Sequence, residues 1–497
     1  MKISNFLTKK TWSRRVVQTG SPYQTIKSHS VEQSQMRLPS GHYETFHQDR
    51  FLNELSSGAH LIYDCGYRSM RPKYEYNAKE GKNVQVGFEE VTRTAVSWQE
   101  AIRGNKTATC GGNPLWVGNE SGDADAERVS KIKSHINTMN LQSALLSMYY
   151  SLFGTADGAL YFYIEDDTIQ WKVFSYENGD NCTERPDYGD PSKKMGVRYF
   201  GYEGFEAVEL YRPTKNELYI KFPDDETLHS YFPDGYLSKT EDDFYLVSQT
   251  EHGLDESLFC YWRESDIPSG PVQKNIETFE TLLSDCGENI KYYAYQILFL
   301  SGGAVSLPNA NFGGKVIGSK TADGDAKILE PADASNTLDI GFKKVYNAIC
   351  DGSKSVFIKP DELKGQNDSG AYIANLYWPE IQWATLFFAR FHPCMTKILR
   401  IIKKLVGKIE GDIIGYSKVM LSYMSEPFIP KNKLEQSTIL QQGVTAGFIS
   451  VETATEESDS ANPQEYMRLR READEAQQRE MQRLEKQTTN SNLSNQE

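Results

Sequence analysis

The run LYWPEIQWATLFFARFHP, residues 376–393, decides how this chain is read. Aromatic and aliphatic residues crowd it and two prolines pierce it. Yet it lies in a chain whose 54 basic and 68 acidic residues leave a net charge of −14. Only nine uncharged residues separate Glu380 from Arg390, far short of the ~20 that cross a bilayer, so no membrane span is expected. Helical periodicity accounts for the run instead. Ile373, Tyr377, Ile381, Ala384, Phe388, Phe391, Met395, Ile398, Ile402 and Leu405 recur every three to four residues, the apolar stripe of a buried helix over about residues 370–406. Ser369 suits its N-cap, and at ~1.5 Å per residue the helix would be roughly 55 Å long. Pro379 and Pro393 each remove an N–H and crowd the carbonyl four residues back, so each predicts a kink. The second half carries Arg390, Lys397, Arg400, Lys403, Lys404 and Lys408 without an acidic residue.

Two further striped helices precede this one. Val272, Ile276, Phe279, Leu283, Cys286, Ile290 and Tyr293 mark the first, opened by Pro271, whose missing N–H is harmless in a first helical turn. Leu338, Phe342, Val345 and Ile349 mark the second. Cys286 and Tyr293 are weak seam residues, which favours packing in a larger assembly over a coiled-coil dimer. A glycine-punctuated stretch with short β-like runs lies between the two. Farther upstream, residues 126–153 read as one helix ended by GTADG. ALYFYI and IQWKVF then flank a hairpin turn at Glu165, Asp166, Asp167 and Thr168, and VELYRP, ELYIKFP, LHSYFP and FYLVSQ continue the β pattern to about residue 249. The fold class is therefore α+β. Residues 1–50 are polar and aperiodic, an arm. Past Pro430 come short helices with a turn at Gly447, a mixed-charge helix and a tail of disordered composition.

Chemistry finds little foothold. The negative balance argues against a protein that coats nucleic acid, since phosphate binding is driven by Lys and Arg. The seven cysteines are scattered, odd in number and never paired as C-x-x-C, which suggests neither a disulfide framework nor zinc. The N-terminus lacks the apolar core of a signal peptide, which points to synthesis in a reducing interior. GGKVIGSKT, residues 313–321, fails as a phosphate loop because Ser319 separates Gly318 from Lys320. His42 and His47 do not share a helical face and read as surface residues, and Glu165 to Asp167 read as a turn and not a cation site. No metal, no cofactor and no enzymatic activity are expected.

The order of the pieces carries a resemblance. Stem-like helix, small insert, second stem-like helix, loop and long kinked helix occur together with SGAYIANLYWPEIQWATLFF (residues 369–388) and QGVTAGFISVETA (residues 442–454). Together they resemble the portal proteins of tailed double-stranded DNA bacteriophages, in the branch with about 500-residue subunits. The similarity is clearest over residues 253–486. It implies an N-terminal arm (1–50), an α+β wing (51–270), stem helices (271–294 and 333–350) and a small α/β clip (295–332). A tunnel loop (351–368), the long kinked helix (369–407), a return to the wing (408–430), a helical crown (431–487) and a disordered tail (488–497) complete it. The implied assembly is a homo-oligomeric ring, a dodecamer, with Ile276, Phe279, Leu283 and Ile290 packing between subunits. Double-stranded DNA would pass through it during packaging, head–tail joining and ejection. Lys354, Lys359 and Lys364 would face that DNA, or else be ordinary solvated loop charges. The implied partners are the terminase large subunit, a head-completion or adaptor protein, the major capsid protein and a scaffold protein. Its place is the portal vertex of the virion, after assembly in the host cytoplasm. A head–tail adaptor or minor capsid protein without a channel is the alternative, disfavoured by length and by the stem–insert–stem order.

Overall fold

The computed structural model describes residues 70–77, 82–90, 94–120, 125–224, 227–228, 231–232, 238–294, 297–301, 325–329, 335–357, 375–428 and 433–449, with isolated positions elsewhere. Two compact units divide the chain: Met1–Phe357 with Pro379–Phe428, and Ile358–Trp378 with Ile429–Glu497. The N-terminal arm, His42 and His47, GGKVIGSKT, Lys359 and Lys364, the C-terminal tail, and all of the mixed-charge helix but Arg471 and Glu475 lie outside the described residues.

The first unit opens with the antiparallel pair β1 (Met70–Asn77) and β2 (Lys82–Glu90). Helix α1 (Trp98–Gly111) and strand β3 (Trp116–Asn119) follow. Next come α2 (Ala126–Thr138) and α3 (Leu141–Thr155). The sequence reads residues 126–153 as a single helix, and the structure corrects this. Asn140 adopts left-handed backbone (φ 52°), which asparagine tolerates, and its side chain caps α3 by accepting the Ser143 N–H at 3.3 Å.

β4 (Asp157–Glu165) and β5 (Thr168–Phe174) form the expected hairpin. Asp166 and Asp167 both have positive φ (48° and 55°), the two-residue turn whose twist matches the flanking strands. A five-stranded antiparallel sheet follows, made of β6 (Asn181–Pro186), β7 (Lys194–Tyr202), β8 (Phe205–Tyr211), β9 (Lys215–Lys221) and β10 (Tyr245–Glu251) in the order β10-β9-β8-β7-β6. LHSYFP is not one of its strands: Leu228 and Tyr231 are helical, and Leu228 packs beside Ile220 and Phe222. β11 (Phe259–Arg263) returns to pair with β4 and completes a three-stranded sheet. Its Phe259 lies against Gly196 of β7, where a Cβ would stand 2.1 Å from the ring, so only glycine permits the approach.

The two striped helices are α4 (Gln273–Ala294) and α5 (Ser335–Ser353). Within the segment between them, β12 (Ile297–Ser301) pairs antiparallel with β13 (Asp325–Leu329). The long helix is α6 (Trp378–Ile409), followed by α7 (Ile413–Lys418) and by β14 (Leu421–Met424), which pairs with β3.

The main core seats α6 on α2, α3 and β4. Ala384, Phe387, Phe391, Met395, Ile398, Ile402 and Leu405 are buried there. Tyr149 lies edge-on to both Phe387 and Phe391, each at 5.3 Å, and Phe153 lies 4.9 Å from Phe387. The stripe keeps its expected phase except at one position, where Phe387 takes the place read for Phe388. Phe387, three residues from Ala384 and four from Phe391, is fully buried, and Phe388 is only half-buried. A buried Phe contributes about 1.5–3 kcal/mol, so this seam dominates the unit. The described cysteines are free thiols.

In the second unit, α8 (Lys433–Thr445) ends at the expected turn. Gly447 takes φ 74°, and the Phe448 N–H returns to the Gly443 carbonyl at 3.0 Å, a glycine-terminated cap.

Candidate functional site

Helix α1 has no apolar stripe to betray it in the sequence, because it buries polar groups: Gln99, Arg103, Lys106, Thr107 and Thr109. It holds the bases of α4 and α5 together. Ile102 forms a fully buried cluster with Val272, Ile276 and Ile349. Trp98 meets Phe279, Tyr346 and Phe357 edge-on at 5.9, 5.6 and 5.5 Å. The extended chain just before α1 is pinned to α4 by side chains: Glu280 accepts the Val96 N–H at 2.9 Å and Ser284 accepts the Thr94 N–H at 3.0 Å. Gln99 donates to Gln273 at 3.1 Å. Arg103, also buried, ties α1 to α3: it donates to the Tyr150 carbonyl at 2.8 Å, pairs with Glu177 at 2.6 Å and lies 3.5 Å over the Tyr150 ring.

Part of the stripe read as an inter-subunit seam is covered within the single chain. Ile276 is fully buried inside its own chain, and Phe279 rests on Trp98 and, at 5.6 Å, on Phe342. Leu283 is half-buried, and the Ile290 side chain lies outside the described residues. Cover for the stripe comes from α1, which the periodicity could not reveal.

At the C-terminus of α5, Lys354 takes left-handed backbone (φ 54°) and the Ser355 N–H returns to the Cys350 carbonyl at 3.0 Å, a glycine-type cap made with lysine. Of the three loop lysines it alone is described; its side chain is exposed and its carbonyl accepts the Lys106 ammonium. Lys106 and Glu380 are both fully buried and stand 3.8 Å apart. Burial draws the Lys106 pKa down to about 8, although Glu380 acts in the opposite sense. Glu380 Oε1 accepts from Asn105 and from the Val356 N–H, the latter at 2.9 Å, and Oε2 accepts from Thr109 at 3.1 Å. Glu380 reads in the sequence only as the acid that limits the aromatic run. Nothing in spacing shows that α1 would meet it.

Pro379 sits in the first turn of α6. Asn375 and Leu376 are helical, Tyr377 is a turn and α6 begins at Trp378. A missing N–H costs nothing in a first turn, so Pro379 suits the start of α6, just past the turn at Tyr377. Pro393 is interior, and α6 is helical on both sides of it.

The cationic row of α6 finds partners within the chain. Arg390 reaches Glu264 at 3.2 Å, Arg400 reaches Glu256 at 2.7 Å and Lys404 reaches Asp255 at 2.7 Å. Lys397 pairs with Glu184, whose carboxyl is raised by burial but held below its usual range by Lys397 and Lys194. Lys403 and Lys408 donate to the Val419 and His252 carbonyls at 2.6 and 2.8 Å. The row thus lashes α6 to the chain on both sides of β11, to β6 and to the chain after α7. Among the described residues no three His, Cys, Asp or Glu side chains gather as a metal site, and no helix is long and apolar enough to cross a membrane.

Comparison with known proteins gives one family. The model of phage portal proteins of the SPP1 Gp6-like type matches residues 92–479, well over half of the chain. No curated protein matches. Among solved structures, a chain from the neck of an empty GTA particle computed with C6 symmetry aligns at a TM-score of 0.36 with 10% identity, over 72% of this chain and 88% of that one. Family membership rests on the family model alone.

Proposed function

The chain belongs to the SPP1 Gp6-like family of phage portal proteins, and from that premise we propose how its parts serve a portal. As a portal protein it forms the DNA channel at a capsid vertex. The single observation that carries this is the family match over residues 92–479, a span that runs from just before α1 past α8. The alternative of an adaptor without a channel falls with it.

The finer reading is as follows. Twelve subunits close into a ring, with α4 and α5 as the stem. Ile340 on α5 and Leu386 on α6 are 56% and 62% exposed in the single chain, and large apolar side chains so placed suit burial against a neighbour. The segment between the stem helices, with its β12–β13 pair, is the clip on which the terminase large subunit docks, replaced later by a head-completion or adaptor protein. The α+β wing meets the major capsid protein and, during assembly in the host cytoplasm, a scaffold protein. Lys354, Lys359 and Lys364 follow the passing duplex. A chain of net charge −14 repels DNA from the rest of the channel wall, so the duplex slides and is not trapped. The protein needs no cofactor and catalyses no reaction; the motor ATPase is a separate chain.

A packaging assay tests this. Capsids assembled without this chain should stay empty when supplied with motor and DNA, and capsids carrying it should fill. Equal filling of both would overturn the assignment of the channel to this protein.

A further inference from the structure

The exit of α5 and the entry of α6 meet at one buried point, and α1 closes it from a third side. Glu380, in the first turn of α6, accepts the Val356 N–H from the chain leaving α5 at 2.9 Å. Asn105 on α1 bridges both: its amide donates to Glu380 and, at 3.3 Å, to the Val356 carbonyl. Thr109 donates to the other Glu380 oxygen at 3.1 Å. Lys106 donates to the Lys354 carbonyl, stands 3.8 Å from Glu380 and lies 4.8 Å over the Trp383 ring. Glu380 and Lys106 are shut from water, and Thr109 is 4% exposed.

Apolar side chains of the same volume would stabilise such a junction at least as well, because a buried ion pair gives back in attraction little more than its desolvation cost. A polar junction supplies direction instead. Three hydrogen bonds to one carboxylate, with the Lys106 ammonium 3.8 Å away and donating to the Lys354 carbonyl, favour one mutual arrangement of α1, α5 and α6. A hydrophobic contact would tolerate sliding.

We propose that Lys106 and Glu380 are positioning residues that lock the α5 exit, residues 354–356, to the first turn of α6 and to α1, so that a stem helix cannot shift without moving both. This rests on the reading of α5 as a portal stem helix. Lys354, the one described member of the proposed DNA-following lysines, is held by its backbone at this lock, which leaves its side chain free to act.

The test is hydrogen exchange by mass spectrometry on the full-length protein, with packaging measured in parallel. Glu380→Leu and Lys106→Met singly should speed exchange over residues 353–357 at least tenfold, leaving α3 and β7 to β9 unchanged. The deciding variant is Lys106→Met with Glu380→Leu together. Its melting temperature should recover toward wild type, because neither charge is then left buried without the other, while exchange at Val356 stays fast and packaging stays slow. Recovery of Val356 protection and packaging along with stability would reduce the pair to ordinary packing and overturn the proposal. Should the double variant not fold, Thr109→Val, which removes one donor at constant volume, should still speed Val356 exchange severalfold, and no change there would overturn it. Absence of rings in the wild-type protein, even with capsid and scaffold proteins co-expressed, would refute the portal reading, and would leave the exchange result at Val356 to stand or fall separately.

Discussion

Lys106 is an ammonium group sealed from water, and its titration has a definite sign. Its folded-state pKa is about 8 against an ordinary 10.5, with burial as the main cause. Between those values the unfolded chain holds a proton that the folded chain has lost. Stability contributed by this residue therefore rises with pH across about 8 to 10.5, by up to ~1.4 kcal/mol per pH unit. Urea unfolding of wild type against Lys106→Met should show the difference moving in favour of wild type from pH 8 to pH 10. A flat or falling difference would mean that the ammonium is hydrated. At this scale the sequence was least legible. Aromatic spacing exposed the stripe around Glu380 but not its partners, because a carboxylate and a lysine far apart in the chain carry no mark of meeting. Loop lysines carry even less: Lys354 takes left-handed backbone and offers its carbonyl to Lys106, neither of which its charge announces.

Elements were legible where local chemistry specified them. The Asp166–Asp167 turn, the glycine-ended α8 and the striped α4, α5 and α6 follow from residue type and period. Misreadings share a cause, tertiary contacts overriding local pattern. Asn140 breaks what reads as one helix, LHSYFP alternates like a strand but turns helical beside Phe222, and α1 hides because it buries polar side chains. The phase of α6 gives a sharp prediction. Phe387→Ala should cost about 3–5 kcal/mol, and Phe388→Ala at most roughly half of that, since only Phe387 is enclosed by Tyr149, Phe153 and Phe391. Equal losses on thermal unfolding would contradict this difference in burial. Pro393 allows a test of whether α6 works as a flexure. Pro393→Ala restores an N–H to the Ala389 carbonyl and should stabilise the chain, by no more than the ~3 kcal/mol that an interior proline costs. Packaging by rings of that variant should slow if the proline matters as a flexure; an unchanged rate would assign Pro393 no part in the mechanism.

At the scale of the whole molecule, the single chain accounts for much that first reads as subunit contact. Ile276 and the cations of α6 are satisfied internally, by α1 and by Glu184, Asp255, Glu256 and Glu264. What remains for neighbours is a smaller set, with Ile340 and Leu386 prominent in it. The subunit on this account folds first and assembles afterwards, its wing and stem base already joined through α1. Family membership places the chain at a channel, and the ring is what makes a channel from it. The most direct measurement is negative-stain electron microscopy of the purified full-length protein alongside its mass in solution, with capsid and scaffold proteins co-expressed. The account predicts annular particles with a central hole and a mass near twelve subunits. A compact monomer or dimer without a hole, persisting in the presence of those partners, would contradict it.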